Sequence, residues 1–112
     1  MVSIDSTKED LNLVIKVTGD VDASSSIFLD NALEEAIGNN ERRIMVDCKE
    51  LDYISSAGLG VFMSYIQEFE NNDTQMVLYG MNAKVKNTFE ILGLDQLLKI
   101  TQNKEEAIEL LK

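Results

Sequence analysis

The stretch Leu51-Asp-Tyr-Ile-Ser-Ser-Ala-Gly-Leu-Gly60 lies between an apolar run and a segment with helical periodicity. Ser55 or Ser56 stands at the N-cap position, where a hydroxyl can accept a hydrogen bond from an unpaired backbone N–H. Beyond the serines, apolar side chains recur at spacings of three and four, which indicates one buried helix face. These side chains are Leu59, Phe62, Met63, Ile66 and Phe69. The stretch therefore predicts a strand–helix junction with two serines at the start of the helix.

Two glycines follow the serines within the first turns of this predicted helix. Gly58 and Gly60 each cost about 1 kcal/mol relative to alanine in a helix interior. Their spacing puts them beside the apolar stripe, so the core is not expected to require both. Small residues leave the helix end bare, and we expect another molecule to approach it closely.

Composition predicts one domain, residues 1–112, in a cytoplasmic protein. An apolar fraction of 45% in 112 residues is typical of a globular chain with a single core. No run is long enough to span a membrane, and Met1-Val-Ser-Ile-Asp5 lacks the basic start of a secretory signal. The single cysteine, Cys48, argues against a disulfide framework and fits a reducing compartment.

The charge balance is strongly acidic, with 20 acidic and 10 basic side chains and a net charge of −10. Affinity for nucleic acid and for anionic lipid depends on lysine and arginine, so we expect neither nucleic-acid binding nor direct membrane insertion. A basic protein surface suits such a chain better, and plain solubility explains the charge equally well.

Enzyme chemistry finds little support in the sequence. There is no histidine, the commonest general base, and nothing near the serine pair can take its place. Asp20 and Asp22 lack the spacing of a calcium loop, and a turn that caps the next helix explains them. The segment from Gly58 to Gly60 lacks the lysine of a P-loop and the full glycine set of a dinucleotide fingerprint. We expect no catalytic residue, metal or cofactor.

The order of predicted elements is ββαβαβα, with a last helix at the C-terminus. A hairpin comes first, and a helix capped by Ser24 or Ser25 follows it and ends at Gly38. Its apolar columns are Phe28, Leu29, Ala32, Leu33, Ala36 and Ile37. Residues 44–48 predict a strand covered on both faces. Residues 75–79 predict another strand, and residues 97–101 form a short strand or irregular chain. Asn82 and Asn103 predict the starts of the last two helices, with Gly93 between them as a stop. The expected fold is α/β, a small mixed sheet of four to five strands flanked by about four helices.

From chemistry alone, two readings of the serines remain open: ordinary caps, or a site of phosphorylation and docking. A phosphate at a helix start meets free N–H groups and the positive end of the helix dipole. It also adds about −1.5 to −2 charges. The nearest basic residues in sequence are Lys49 and the pair Arg42-Arg43, so no local arginine clamp is evident. Modification would therefore act by repelling a partner more than by refolding the domain.

Three segments together resemble the STAS domain, as in bacterial anti-sigma factor antagonists. The opening stretch is similar to the family signature, in which a leucine precedes Asp-Ser-Ser/Thr/Ala-Gly-Leu-Gly. Val17-Thr-Gly-Asp-Val-Asp22 is similar to the family's end of strand two. Lys84-Val-Lys-Asn-Thr-Phe-Glu-Ile-Leu-Gly-Leu94 is similar to its third helix. The resemblance covers essentially the whole chain in order.

The resemblance implies a non-enzymatic regulator that works by partner switching. Signalling members bind an anti-sigma factor that is also a serine kinase and thereby free a sigma factor. The kinase phosphorylates a serine at the helix start, and a PP2C-type serine phosphatase resets the complex. By position, the implied phosphoacceptor is Ser56. The implied partner-binding residues are Asp22, Ala23, Ser24, Ser55, Ser56, Ala57, Gly58, Leu59 and Gly60.

One departure from the family pattern concerns the acceptor. Many members have an acid before the acceptor serine, whereas this chain has Ser55, so Ser55 is the alternative acceptor. Other members serve as stressosome scaffolds or as accessory subunits of lipid-type ABC transporters, without a phosphorylation switch. The sequence contains no motif that would indicate nucleotide binding by the chain itself. The sequence leaves the oligomeric state open, with a monomer as the expectation.

Overall fold

Six strands and four α-helices form within residues 2–111, the part of the chain that a computed structural model describes. In chain order they are β1 Ser3–Glu9, β2 Asn12–Val21, α1 Ser26–Gly38, β3 Arg43–Asp47, β4 Leu51–Ile54, α2 Ser56–Asn71, β5 Gln75–Tyr79, α3 Ala83–Ile91, β6 Lys99–Thr101 and α4 Lys104–Leu111. A short 3-10 turn, Leu94–Gln96, precedes β6. The predicted α/β class with a mixed sheet is confirmed, and the short late strand is present.

The sheet has the strand order β1-β2-β3-β5-β6, and β1 pairs antiparallel with β2. The pairs β2–β3, β3–β5 and β5–β6 are parallel. Helices α1, α2 and α3 cover one face, and α4 covers the other with Ala107 and Leu111. Both faces of β3 are therefore buried, with Ile44, Met45 and Val46 each fully inaccessible. The prediction of a strand covered on both faces is confirmed.

The sixth strand, β4, was not among the predicted elements. It pairs in parallel with the end of β2, where Val21 lies opposite Ile54. The pairing shifts register between Gly19 and Asp20, and Gly19 has a φ of +95°, a conformation that favours glycine. This irregularity lets the last residues of β2 pair with β4. Helix α2 consequently begins beside the end of β2.

One residue in each of the apolar faces predicted for α1 and α2 is exposed. Phe28 of α1 is 54% exposed and Met63 of α2 is 49% exposed, while Tyr65 is buried and belongs to the core. Each exposed side chain stands at the edge of its apolar stripe, where the limit of the buried arc depends on neighbouring elements. Tyr65 donates a hydrogen bond to the Asp30 carboxylate (2.7 Å), which joins α1 to α2.

The helix ends agree with the sequence at some positions and differ at others. Asn82 and Asn103 accept hydrogen bonds from Val85 N–H (2.8 Å) and Glu106 N–H (2.9 Å), as predicted. Gly93 follows α3 with a φ of +73°, the left-handed conformation expected of a stop. Gly38 is not the left-handed cap of α1. It is the last helical residue, and Asn40, with a φ of +58°, makes the left-handed turn instead.

Candidate functional site

Helix α2 begins with two serines that have different roles. Ser55 is the N-cap, with extended backbone (φ −86°, ψ 172°), and its hydroxyl accepts a hydrogen bond from Gly58 N–H at 3.4 Å. Its own N–H donates to the Val21 carbonyl (2.8 Å), which ties the helix start to the end of β2. Ser55 is half-buried, and both its hydroxyl oxygen and its N–H are engaged in hydrogen bonds that hold the helix start.

Ser56 is the first helical residue and is exposed. Within residues 2–111, no group forms a hydrogen bond with its hydroxyl. The N–H groups of Ser56 and Ala57 have no acceptor inside the helix, as is general for a first turn. Ser56 thus offers a free hydroxyl at the positive end of a 16-residue helix.

Gly58 lies on the inner side of the helix start and is buried, although its spacing predicted a place beside the apolar stripe. A Cβ at Gly58 would lie 2.7 Å from Ile54 Cγ1 and 2.8 Å from Val21 Cγ1. Only glycine lets α2 sit this close to β2 and β4. Gly60 is different, because a Cβ there would meet nothing within 4 Å. Packing therefore explains Gly58 and leaves Gly60 without a role in the core.

The loop after β2 forms the other wall of the site. Its centre is Asp22, whose Oδ1 accepts four hydrogen bonds, from the backbone and hydroxyl of Ser24 (3.0 and 2.8 Å) and of Ser25 (3.0 and 2.9 Å). These bonds, led by that from the Ser24 hydroxyl, hold the pKa of the exposed Asp22 carboxyl below its ordinary value. Ser25 is the N-cap of α1 by position but makes no cap bond with its side chain. The Ser25 hydroxyl instead accepts a hydrogen bond from Asp22 N–H (2.9 Å).

The predicted partner-binding residues divide into two groups. Because Val21 carries the loop and also bonds to Ser55, the loop and the helix start adjoin one another. Those exposed on this surface are Asp22, Ala23, Ser24, Ser56, Ala57 and Gly60. The other three are less accessible: Ser55 is half-buried, and Gly58 and Leu59 are buried and support the surface from inside.

Sequence reasoning missed one exposed apolar residue on the same helix face. Met63 lies seven residues after Ser56 and three after Gly60, so the three share one side of α2. The spacing from Ser56 and Gly60 could have placed Met63 on the exposed face of α2. The same residue also fits the apolar stripe, so the sequence supports both a surface and a core position for it.

Two of the basic residues nearest in sequence to the serines make their contacts elsewhere. Arg42 donates to the Asn72 carbonyl at the far end of α2, about 24 Å along the helix from Ser56. Lys49 interacts with the buried carboxylate of Asp47, with Nζ 3.7 Å from Oδ2. In the part of the chain that the structure describes, no group of three or more cysteine, aspartate or glutamate side chains is placed to hold a metal ion. None of the helices within residues 2–111 is long and apolar enough to cross a membrane.

Comparisons with known proteins agree with this architecture. The STAS domain model matches residues 3–107. The anti-sigma-B factor antagonist of Staphylococcus aureus is 27% identical over 104 residues, which are 93% of this chain and 96% of the relative. An anti-sigma factor antagonist from Mycobacterium paratuberculosis has the same fold, with a TM-score of 0.90, 14% identity and coverage of 99% of this chain and 94% of the other. The Bacillus cell fate determinant SpoIIAA in its phosphorylated form gives a TM-score of 0.71 at 18% identity over the full length of both chains.

The chain belongs to the STAS domain family. The resemblance inferred from the sequence is thereby confirmed at the level of family.

Proposed function

We propose that this chain is an anti-sigma factor antagonist, a cytoplasmic regulator and not an enzyme. It binds a kinase-type anti-sigma factor and so releases a sigma factor. Phosphorylation of Ser56 switches it off, and a PP2C-type serine phosphatase resets it. The observation that carries the proposal is the free, exposed hydroxyl of Ser56 at the first position of α2, beside the ordered Asp22 loop. The name of the Staphylococcus aureus relative supports the same role.

Ser56 is the better acceptor of the two serines because its hydroxyl is not in use. The Ser55 oxygen accepts the Gly58 N–H and is half-buried, so a phosphate there would break the cap. Ser56 could carry a phosphate with the cap intact. The helix start would then remain folded in both states.

A phosphate on Ser56 would act chiefly on the partner. It would place about −1.5 to −2 charges next to Asp22, on a chain whose net charge is already −10. Arg42 is too far away to neutralise it. A partner that docks a complementary surface against Ala57 and Gly60 would lose contact by steric blocking and altered charge. We expect the partner's main chain to approach Gly60 closely, because no Cβ stands in the way.

The first experiment is intact-mass measurement with site mapping on protein purified from its native cells under phosphatase inhibition. We expect one phosphate, lost in Ser56→Ala and retained in Ser55→Ala. A phosphate mapped to Ser55 would keep the switch but assign it to the other serine. No phosphate under any growth condition would refute the switch and favour an unswitched role, as a transporter accessory subunit or a stressosome-type scaffold.

The second experiment tests the antagonist role itself. Tagged Ser56→Ala and Ser56→Asp variants are expressed in native cells, and the proteins that co-purify with each are identified. We expect an anti-sigma factor with the unphosphorylatable variant and much less of it with the acidic variant. Recovery of a transporter ATPase with both variants would contradict the antagonist role. Asp52→Asn, an exposed change outside the proposed surface, serves as the control.

A further inference from the structure

A groove runs between β1 and α1 and opens beside the Asp22 loop. Its volume is about 560 Å³, within the range of small-molecule sites. Helix α1 follows the Asp22 loop, so its first turn lies at the end of the groove beside that loop. Glu35, two helical turns after Phe28, lies toward the other end. The groove is therefore separate from the exposed face of α2 but shares Asp22 with the proposed partner surface.

The floor and one wall of the groove are apolar. Ile4 of β1 and Ala32 of α1 are half-buried and pack against the main core. Phe28 lines the groove with 54% of its surface exposed, although its position in the sequence is that of a core residue. A ligand with a hydrocarbon body could cover this ring and gain about 25 cal/mol for each Å² of apolar surface removed from water.

The charged groups that line the groove are all negative, and its other polar groups are neutral hydroxyls and an amide. Asp20 and Asp22 line the end of the groove beside the Asp22 loop, and Glu35 lines it further along α1. Within residues 2–111, no lysine or arginine is among the lining residues. All four hydrogen bonds to the Asp22 carboxylate go to Oδ1, so Oδ2 is left for another donor. Because the loop already holds this carboxylate in place, a cation binding to Oδ2 would not need to order it.

We propose that the groove is a binding site for a small organic cation with an apolar body, such as an alkylamine or arylalkylamine. The ammonium group would lie against Asp22 and Asp20, and the hydrocarbon would lie over Phe28 and Ile4. The acidic lining disfavours phosphate-bearing and carboxylate ligands. Binding itself does not depend on the proposed function. One consequence does rest on it: a ligand at Asp22 competes with the anti-sigma factor for that carboxylate.

The test is an amide NMR titration of the full chain at neutral pH with n-octylamine. We expect saturable shifts centred on Ile4, Asp22 and Phe28, with a Kd in about the millimolar range for so small a probe. Octanoate has the same length and the opposite charge, and ethylamine has the same charge without the apolar body. Neither is expected to shift these amides. Equal shifts with octanoate, or no saturable shift with octylamine, would overturn the proposal.

Variants assign the binding to the groove. Asp22→Asn keeps an Oδ1 acceptor for the loop, and Phe28→Ala removes an exposed ring, so both are expected to fold. Each should weaken octylamine binding by about threefold or more. Matched controls are Glu105→Gln, on α4 across the sheet, and Leu11→Ala, an exposed apolar residue in the β1–β2 turn.

Equal weakening by the control variants would show non-specific attraction to an acidic chain and overturn the proposal. Groove shifts that depend on protein concentration without octylamine would identify the groove as an interface between copies of the chain, and would overturn it as well. Failure of octylamine to bind leaves the phosphorylation and co-purification results untouched, so the two proposals fail independently.

Discussion

Gly58 and Gly60 provide a matched pair of alanine substitutions in one helix. Both lie in α2 with no positive φ, so each replacement gains the same helix propensity, about 1 kcal/mol. They differ in what the new methyl group would meet. The difference in the free energy of unfolding between the two variants therefore isolates the packing at the helix start.

At Gly58 the added Cβ would lie 2.7 Å from Ile54 Cγ1 and 2.8 Å from Val21 Cγ1, too close for carbon atoms. Val21 is fully buried and Ile54 is 3% exposed, and the β-branched side chains have few other rotamers. Overpacking of this kind costs about 1–3 kcal/mol. After the gain in propensity, Gly58→Ala is expected to lose up to about 2 kcal/mol.

At Gly60 the added Cβ would meet nothing within 4 Å, so Gly60→Ala is expected to gain up to about 1 kcal/mol. The variant Gly60→Ala should then be more stable than Gly58→Ala by about 1–3 kcal/mol. Urea denaturation followed by circular dichroism measures both values, provided that the m-values agree. Gly38→Ala, at the last helical position of α1, also has open space around it and provides the reference gain.

An equal gain in stability in the Gly58 and Gly60 variants would refute this account of the helix start. It would mean that β2, β4 and α2 move apart at little cost, and that the close approach at Gly58 does not hold the serines in place. A loss in Gly60→Ala as large as that in Gly58→Ala would point to a contact at Gly60 that the structure does not contain.

Three further predictions concern the serines, the Asp22 loop and the buried thiol. In urea denaturation, Ser55→Ala should lose about 1 kcal/mol with its cap and Ser56→Ala almost nothing, and equal losses would contradict the assignment of the cap. The pKa of Asp22, measured by carboxyl-carbon NMR, should lie below 3.8, and Ser24→Ala should raise it. The stability that these hydrogen bonds provide is present above pH 3.8 and is lost as the pH falls through the pKa of Asp22 in the folded protein. If Ser24→Ala left the pKa of Asp22 unchanged, the loop geometry would be contradicted. Burial raises the pKa of the fully buried Cys48, so thiol reagents should label it only after unfolding, and fast labelling of native protein would contradict its burial.

Most helices and strands were predicted from the periodicity of apolar residues, because a buried face places apolar residues at regular intervals in the sequence. The uninterrupted run around Met45 predicted a strand with two covered faces, and α4 supplies the second cover. Asn82 and Asn103 predicted helix starts because their side chains bond to nearby backbone N–H groups. These are local interactions, and a sequence records them directly.

Strand β4 could not be predicted by the same means. Its four residues alternate poorly, since the two central ones, Asp52 and Tyr53, are both exposed. What makes it a strand is pairing with the end of β2 after the register shift at Gly19. That interaction joins residues about 30 positions apart, and no pattern within either segment records it. The same reason explains Gly58, whose small size is required by Val21 across this pairing.

The serine pair shows how a one-residue difference in a helix boundary changes the chemistry of a site. Sequence alone left the N-cap at Ser55 or Ser56, an uncertainty that is ordinary for helix ends. The structure assigns the cap to Ser55, and the neighbouring hydroxyl is free as a direct consequence. The backbone of Ser56 is held by the bond between Ser55 and Val21 and by the tight packing of Gly58, neither of which involves the Ser56 side chain. We therefore expect the domain to stay folded when a group is attached to that side chain, which is what the proposed switch at Ser56 requires.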